Sequence, residues 1–447
     1  MTFPRYPKYK ASGFTWLGDV PEHWQLKRLG HYFDERRERA SDTEFEPLSV
    51  TKLGIVPRLE SAAKTQDGDN RKKVLAGDFV INSRSDRKGS SGLSPLDGSV
   101  SLICTVLIPT GLHGPFVHHL FRSELFQEEY YRWGKGIVAD LWSTNFSDMK
   151  NIVLGVPSEA EQTQIARFLD HETARIDALI EEQQRLIELL KEKRQAVISH
   201  AVTKGLDPTV PMKDSGVEWL GEVPAHWVVR RIKHLTEVIS KGTTPTTIGE
   251  DFQDEGIRFL KAENIFGGRV LADPEFFISE RAHAALARSA LAENDVLVVI
   301  AGATTGKSAV LSGDLLPANT NQAVSFIRLR DTRLSEFIQC WLSTDAVQRS
   351  ISLNSVQSAQ PNLSMEDLGE IPVPLPPLDE IDLITDQMAT QISIFDGLIS
   401  EAVNASGLLQ ERRSALISAA VTGKIDVRDW QPPVSTQAPE SAVAEAN

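Results

Sequence analysis

Ser12-Gly13-Phe14-Thr15-Trp16-Leu17-Gly18-Asp19-Val20-Pro21-Glu22-His23-Trp24 returns as Ser215-Gly216-Val217-Glu218-Trp219-Leu220-Gly221-Glu222-Val223-Pro224-Ala225-His226-Trp227, 203 residues later. There is a second repeated pair: Glu161 to Asp207 recurs as Glu380 to Asp426, at an offset of 219. Solenoid repeats have periods of roughly 20 to 50 residues, so these offsets signal duplication of a whole domain-plus-helix module. The chain must therefore form two related halves, each a repeated opening, a diverged globular body and a long helix.

The second repeat is the helical one. Glu159 to Ala201 contains no Pro or Gly and is built mostly from strong helix formers. Leu169, Ile176, Ile180, Ile187, Leu190, Val197 and Ala201 fall on one stripe at spacings of three, four and seven, broken by Gln183 and Arg194. That is a coiled-coil seam. The second copy carries Met388, Phe395, Ile399, Ala402, Leu409, Leu416 and Ala420, broken by Ser406 and Arg413. Neither apolar seam is stable alone, so the helices are expected to pair antiparallel within the chain, with the bodies at opposite ends of a common spacer. Pairing between chains is the alternative. Gly205 and Gly423 supply the expected helix C-caps.

The expected divisions are a first body at 1–157, the first long helix and a connector at 158–214, a second body at 215–374, the second long helix at 375–430 and a disordered tail at 431–447. Runs such as Phe79-Val80-Ile81 and Val296-Leu297-Val298-Val299-Ile300 predict strands, while Ser335 to Ser343 predicts a short helix. The fold class is thus α+β with a pseudo-two-fold repeat. No signal-type segment and no run approaching a membrane span is read, so a cytoplasmic, non-membrane protein is expected. Cys104 and Cys340 are the only cysteines, too few for a disulfide framework or thiolate metal site.

Net charge is -14, which on average argues against nucleic acid. The average conceals a division: residues 1–157 carry 21 basic and 19 acidic groups, whereas 215–374 carry 14 and 20. Phosphate contact needs only a local positive surface.

Ala301-Gly302-Ala303-Thr304-Thr305-Gly306-Lys307-Ser308 nearly spells a phosphate-binding loop, with Ala301 replacing the first glycine. The next residues, Ala309 to Asp314, reach a turn within a few positions instead of opening a helix, and no strand offers a magnesium-binding aspartate. A nucleotide hydrolase using Lys307 is therefore the weaker reading. The matching first-half loop holds Arg84, Arg87, Lys88, Ser90 and Ser91. Arg pairs with guanine edges, hydroxyls hold phosphate, and Asn or Gln amides suit adenine. The expected DNA contacts are these five, with Lys241, Thr243, Thr244, Thr304, Thr305, Lys307, Ser308, Asn319, Asn321 and Gln322. His113, His118 and His119 lack the company of a metal site. His23 and His226, with Trp16, Trp24, Trp219 and Trp227, are expected to pack each body against a helix end. No catalytic motif is found, and no cofactor or metal is proposed for this chain.

The duplicated frame, the openings Trp16-Leu17-Gly18 and Pro21-Glu22-His23-Trp24, the run Ile371-Pro372-Val373-Pro374-Leu375-Pro376-Pro377, and the pattern Glu161-Gln162 to Phe168-Leu169-Asp170 and Ile176-Asp177 resemble the specificity subunits of type I restriction-modification systems. The departure is Glu380-Ile381, where that family commonly has Glu-Gln. The resemblance implies two target-recognition domains, each reading half of an interrupted DNA site. It also implies docking to two modification subunits, which carry S-adenosylmethionine, and to restriction subunits, which use ATP and Mg. Leu169, Ile176, Ile180, Ile187, Leu190, Phe395, Ile399 and Leu409 are the expected partner-binding positions. A coiled-coil scaffold that binds only protein is a further alternative.

Overall fold

The computed structural model describes residues 3–59, 70–136, 142–355 and 362–433. Most of the expected disordered tail, 434–447, lies outside the described residues. The chain forms two compact units, residues 1–184 with 404–447, and residues 185–403. Both boundaries fall inside the long helices, so each unit owns the beginning of one long helix and the end of the other.

In the first unit a four-stranded antiparallel sheet runs in the order Ser91–Leu93, Phe79–Asn82, Cys104–Pro109, Phe33–Glu35. The second unit repeats that order with Ser308–Val310, Val296–Val299, Val324–Leu329 and Thr236–Lys241, then extends it with the hairpin Arg269–Val270 and Ile265–Phe266. Phe79–Asn82 and Val296–Val299 are buried along their whole length, which explains the apolar runs Phe79-Val80-Ile81 and Val296-Leu297-Val298-Val299. Helices Gly114–Arg122 and Leu334–Leu342 follow the sheets in equivalent places.

The long helices span Glu159–Lys204 and Leu378–Val421. In the first unit Ile165, Phe168, Leu169 and Ile176 share a core with Leu416, Ile417, Ala420 and Val421. In the second unit Ile198, Ala201 and Val202 share one with Ile381, Ile384 and Met388. Two of the four polar interruptions of the seams, Arg413 and Arg194, find partners here. Arg413 makes a two-pronged pair with Asp177 at 2.7 and 3.1 Å, and Arg194 Nε lies 3.0 Å from an Asp396 oxygen. The first pair joins the two helix segments of the first unit, and the second pair those of the second unit. Polar pairs in an apolar seam are a known device for fixing register.

Each opening repeat is bolted to the helix that follows its body. Glu161 accepts from Tyr6 Oη at 2.6 Å and Trp24 Nε1 at 3.0 Å, and lies 2.8 Å from His23 Nε2. Glu380 repeats the arrangement with His226 at 2.7 Å and Trp227 Nε1 at 3.1 Å. The same openings receive the end of the other long helix. Lys424 Nζ donates to the Leu17 carbonyl at 3.0 Å, and Lys204 Nζ to the Glu222 carbonyl at 2.6 Å. Both caps are left-handed glycines, with φ of 75° at Gly205 and 74° at Gly423. The departure from the Glu-Gln pattern has a simple geometry. Gln162 bridges His113 N and the Pro157 carbonyl, whereas Ile381 contributes apolar bulk to the core.

Candidate nucleic-acid interface

In the second unit, strands Thr236–Lys241 and Val296–Val299 end where Val324–Leu329 begins, as the pairings Lys241 with Ser325 and Val299 with Val324 show. One end of the sheet therefore gathers the Lys241–Thr244 turn, Asn321, Gln322 and the loop 300–307. Thr243 N donates to the Thr320 carbonyl at 3.1 Å, and Thr244 is hydrogen-bonded to Gln322. The first unit does the same with loop 83–90, residues 101–103 and the chain leaving Phe33–Glu35 through Arg36 and Arg37.

The two loops occupy equivalent positions and are stitched down equivalently. Thr144 N donates to the Ser83 carbonyl at 3.0 Å, and Leu363 N to the Ile300 carbonyl at 2.8 Å. Arg84 bridges Ser143, and Ala301 bridges Asn362. The near-Walker segment has no helix to offer a phosphate, since Ser308–Val310 is a strand. Among the described residues no group of three or more His, Cys, Asp or Glu could hold a metal ion.

The expected contact residues divide into two sets. Arg87 and Lys307 are exposed, and Arg84 and Lys88 are half-buried at the loop surface. Arg84 and Arg87 lie 3.9 and 3.7 Å from Asp86, Lys88 pairs with Glu128, and Lys307 Nζ sits 5.6 Å from the centre of the Phe266 ring. Lys241 and Gln322 are exposed, while Thr243, Thr244, Thr304, Thr305 and Asn321 are half-buried. The other four are turned inward and cannot reach a ligand outside. Ser90, Ser91 and Ser308 are buried, and Asn319 is fully buried, donating to the Leu286 carbonyl and Ser289 Oγ. Ser91, Ser308 and Asn319 read as loop because the strands they belong to are only three residues long.

The structure adds residues that sequence reasoning passed over. Arg37 stands at the same sheet end with its side chain 79% exposed, hidden in sequence by its balanced surroundings Asp34 to Arg39. Phe266 is 65% exposed on the added hairpin beside Arg269. An exposed aromatic under a cation suits the stacking of a base.

The seam residues also differ from expectation. Leu169, Ile176 and Phe395 are buried and Ile180, Ile187, Leu190, Ile399 and Leu409 half-buried, so the stripe serves this chain's own packing. The outward apolar residues are others: Leu179, Leu186 and Leu189 on the first long helix, and Leu383, Ile394, Leu398, Val403 and Leu408 on the second. Leu378–Val421 is long and apolar enough to cross a membrane by length and composition alone, contrary to the expectation that no segment approaches a span.

Comparison with known proteins points the same way as the geometry. Residues 224–405 match the family described as the type I restriction modification DNA specificity domain. The chain is 25% identical over 293 residues to the specificity subunit of the Escherichia coli type I restriction enzyme EcoBI, covering 63% of this chain and 60% of that one. It is 24% identical over 405 residues to the EcoKI specificity subunit of Escherichia coli K12, covering 88% and 82%. The chain is thus similar, over most of its length, to specificity subunits of type I restriction enzymes. Its fold agrees with a solved chain from work on complex assembly and conformational transition of the type I R-M system, at a TM-score of 0.70 and 17% identity over 90% of this chain and 98% of that one. The HsdS subunit of Thermoanaerobacter tengcongensis gives 0.52 and 18% over 91% and 98%. The chain carries its diverged loops on a shared sheet frame, so the differences between its halves fall at one kind of surface.

Proposed function

We propose that this chain is the non-catalytic DNA reader of a cytoplasmic type I restriction-modification enzyme, in which each unit reads one half of a bipartite, asymmetric site. The observation that carries this reading is the pair of equivalent sheet ends, alike in strand order and stitching and different in exposed side chains. Exposed Arg87 and Arg37, with half-buried Arg84 and Lys88, serve one half-site; Lys307, Lys241, Gln322 and Phe266 serve the other. Arginine suits guanine edges, and amides suit adenine. The paired helices set the number of unread base pairs between half-sites.

The outward leucines of the long helices, Leu186, Leu189, Leu398 and Leu408 among them, are the surface on which two modification subunits dock. Large exposed apolar side chains in a row are characteristic of protein contact. S-adenosylmethionine belongs to those partners, and ATP and Mg to restriction subunits. Partners supply much of the sequence-independent phosphate contact, which accommodates a net charge of -14 here. A hydrolase built on Lys307 is disfavoured by the strand that follows it.

The test is DNA binding by the chain assembled with its modification subunits. Arg87→Ala or Lys307→Ala should weaken the cognate site by about 5- to 150-fold, corresponding to roughly 1–3 kcal/mol per base contact, and relax choice at one half-site. Unchanged specific binding in both variants would remove these loops from the reading surface and favour the protein-only scaffold.

A further inference from the structure

The recognition loops have diverged almost completely. Aligned on their stitching points, Arg84-Ser85-Asp86-Arg87-Lys88-Gly89-Ser90 and Ala301-Gly302-Ala303-Thr304-Thr305-Gly306-Lys307 share one residue, the glycine. The helices that lie behind them, beginning Glu124-Leu125-Phe126-Gln127-Glu128 and Asp345-Ala346-Val347-Gln348-Arg349, have likewise kept one identity over their first nine residues, the glutamine. In both units the surviving glutamine touches the surviving glycine.

The helix-capping contacts are the same in kind, and Gln348 adds a hydrogen bond to its glycine. Gln127 Nε2 donates to the carbonyl of Arg122, the last residue of the preceding helix, at 2.8 Å. Gln348 Nε2 donates to the carbonyl of Leu342, also the last residue of its preceding helix, at 2.7 Å, and to the Gly306 carbonyl at 2.9 Å. Both glycines have left-handed backbones, with φ of 82° at Gly89 and 95° at Gly306. A Cβ on Gly89 would stand 3.1 Å from Gln127 Oε1, and one on Gly306 would stand 2.5 Å from Gln348 Oε1. Each glutamine thus caps a helix end and fills the space directly behind the loop. The glycine lets the loop backbone come down onto the amide.

We infer that Gln127 and Gln348 are positioning residues for recognition: each braces its own unit's loop from behind, fixing the loop's height while the remaining positions vary. This rests on the reading of the loops as DNA-contacting surfaces. It explains why one glycine and one glutamine persist where the surrounding sequence has changed. Neither residue touches DNA; each acts through the loop it supports.

The experiment uses the full chain and its assembly with modification subunits. Gln348→Ala should speed amide hydrogen exchange at residues 302–307 at least tenfold while the unfolding temperature of the chain stays within a few degrees. It should weaken cognate DNA at least tenfold, with random-sequence DNA of equal length unaffected. Gln348→Glu keeps the shape but loses both donated hydrogen bonds, and should speed loop exchange as alanine does. Gln127→Ala should reproduce the loss through the other half-site. Unchanged exchange at 302–307, or an equal fall in cognate and random-sequence affinity, overturns the brace. Lys307→Ala separates the two ideas: if it leaves cognate binding intact while Gln348→Ala still speeds loop exchange, the DNA reading of the loop falls and the brace stands.

Discussion

Glu161 holds three donors from the first opening repeat, and its side chain is only 4% exposed. Burial and the neighbouring carboxylate push the Tyr6 hydroxyl far above the ordinary tyrosine range, so it stays a donor at any physiological pH. Glu380 lacks the tyrosine, because position 209 is Thr209, and its side chain is 27% exposed. Removing a buried acceptor leaves its donors unpaired at about 1–3 kcal/mol each. Glu161→Ala should therefore cost roughly 3 kcal/mol or more in urea denaturation, and Glu380→Ala clearly less; equal losses would contradict the asymmetry. A second residue-scale outcome concerns acid. Burial, then the adjacent Arg122 and His119, push the His118 imidazole down to about 4, with Asp170 opposing and Arg413 reinforcing. The folded pKa is below the unfolded value of about 6.5, so the unfolded chain binds more protons between these values, and stability is lost as pH falls through that window. Up to about 3 kcal/mol is at stake, and His118→Asn should flatten the stability profile between about pH 6.5 and 4.

At the scale of elements, the two glycine caps offer a matched comparison. A Cβ on Gly423 would run into Pro21 and lie 3.2 Å from Trp24, whereas on Gly205 it would lie 3.2 Å from Glu380 Oε1 and Trp227 and 3.9 Å from Pro224. Both pay the left-handed penalty, so Gly423→Ala should lower the melting temperature more than Gly205→Ala, and the reverse order would contradict the packing described. The long helices were legible in sequence because 3.6-residue periodicity persists over more than forty residues, and Arg194 and Arg413 already stood out as interruptions. The direction of the outward leucines was not legible. Leu186 and Leu189 are close neighbours of Ile187 and Leu190, and only the packing partner decides which of two adjacent apolar stripes faces in. The same limit applies to Ser91, Ser308 and Asn319, whose polarity suggests a loop while a three-residue strand holds them inside. The Gln127 and Gln348 contacts could not be read either, since the partners lie 38 and 42 residues from their glycines and a single identity carries no pattern.

At the scale of the molecule, the sequence repeat and the structural repeat divide the labour differently. Faithful copying marks the openings, the Glu161 and Glu380 hubs and the helices, all of which bear on packing. Divergence marks the sheet ends, where the exposed cations, amides and Phe266 lie. The central claim is that each unit reads its own half-site. It is tested most directly by exchanging residues 14–157 for the corresponding body of another specificity subunit and mapping adenine methylation across a genome. The account predicts a new motif in one half-site, with the other half-site and the gap unchanged. A change in both half-sites, or in neither, would contradict it.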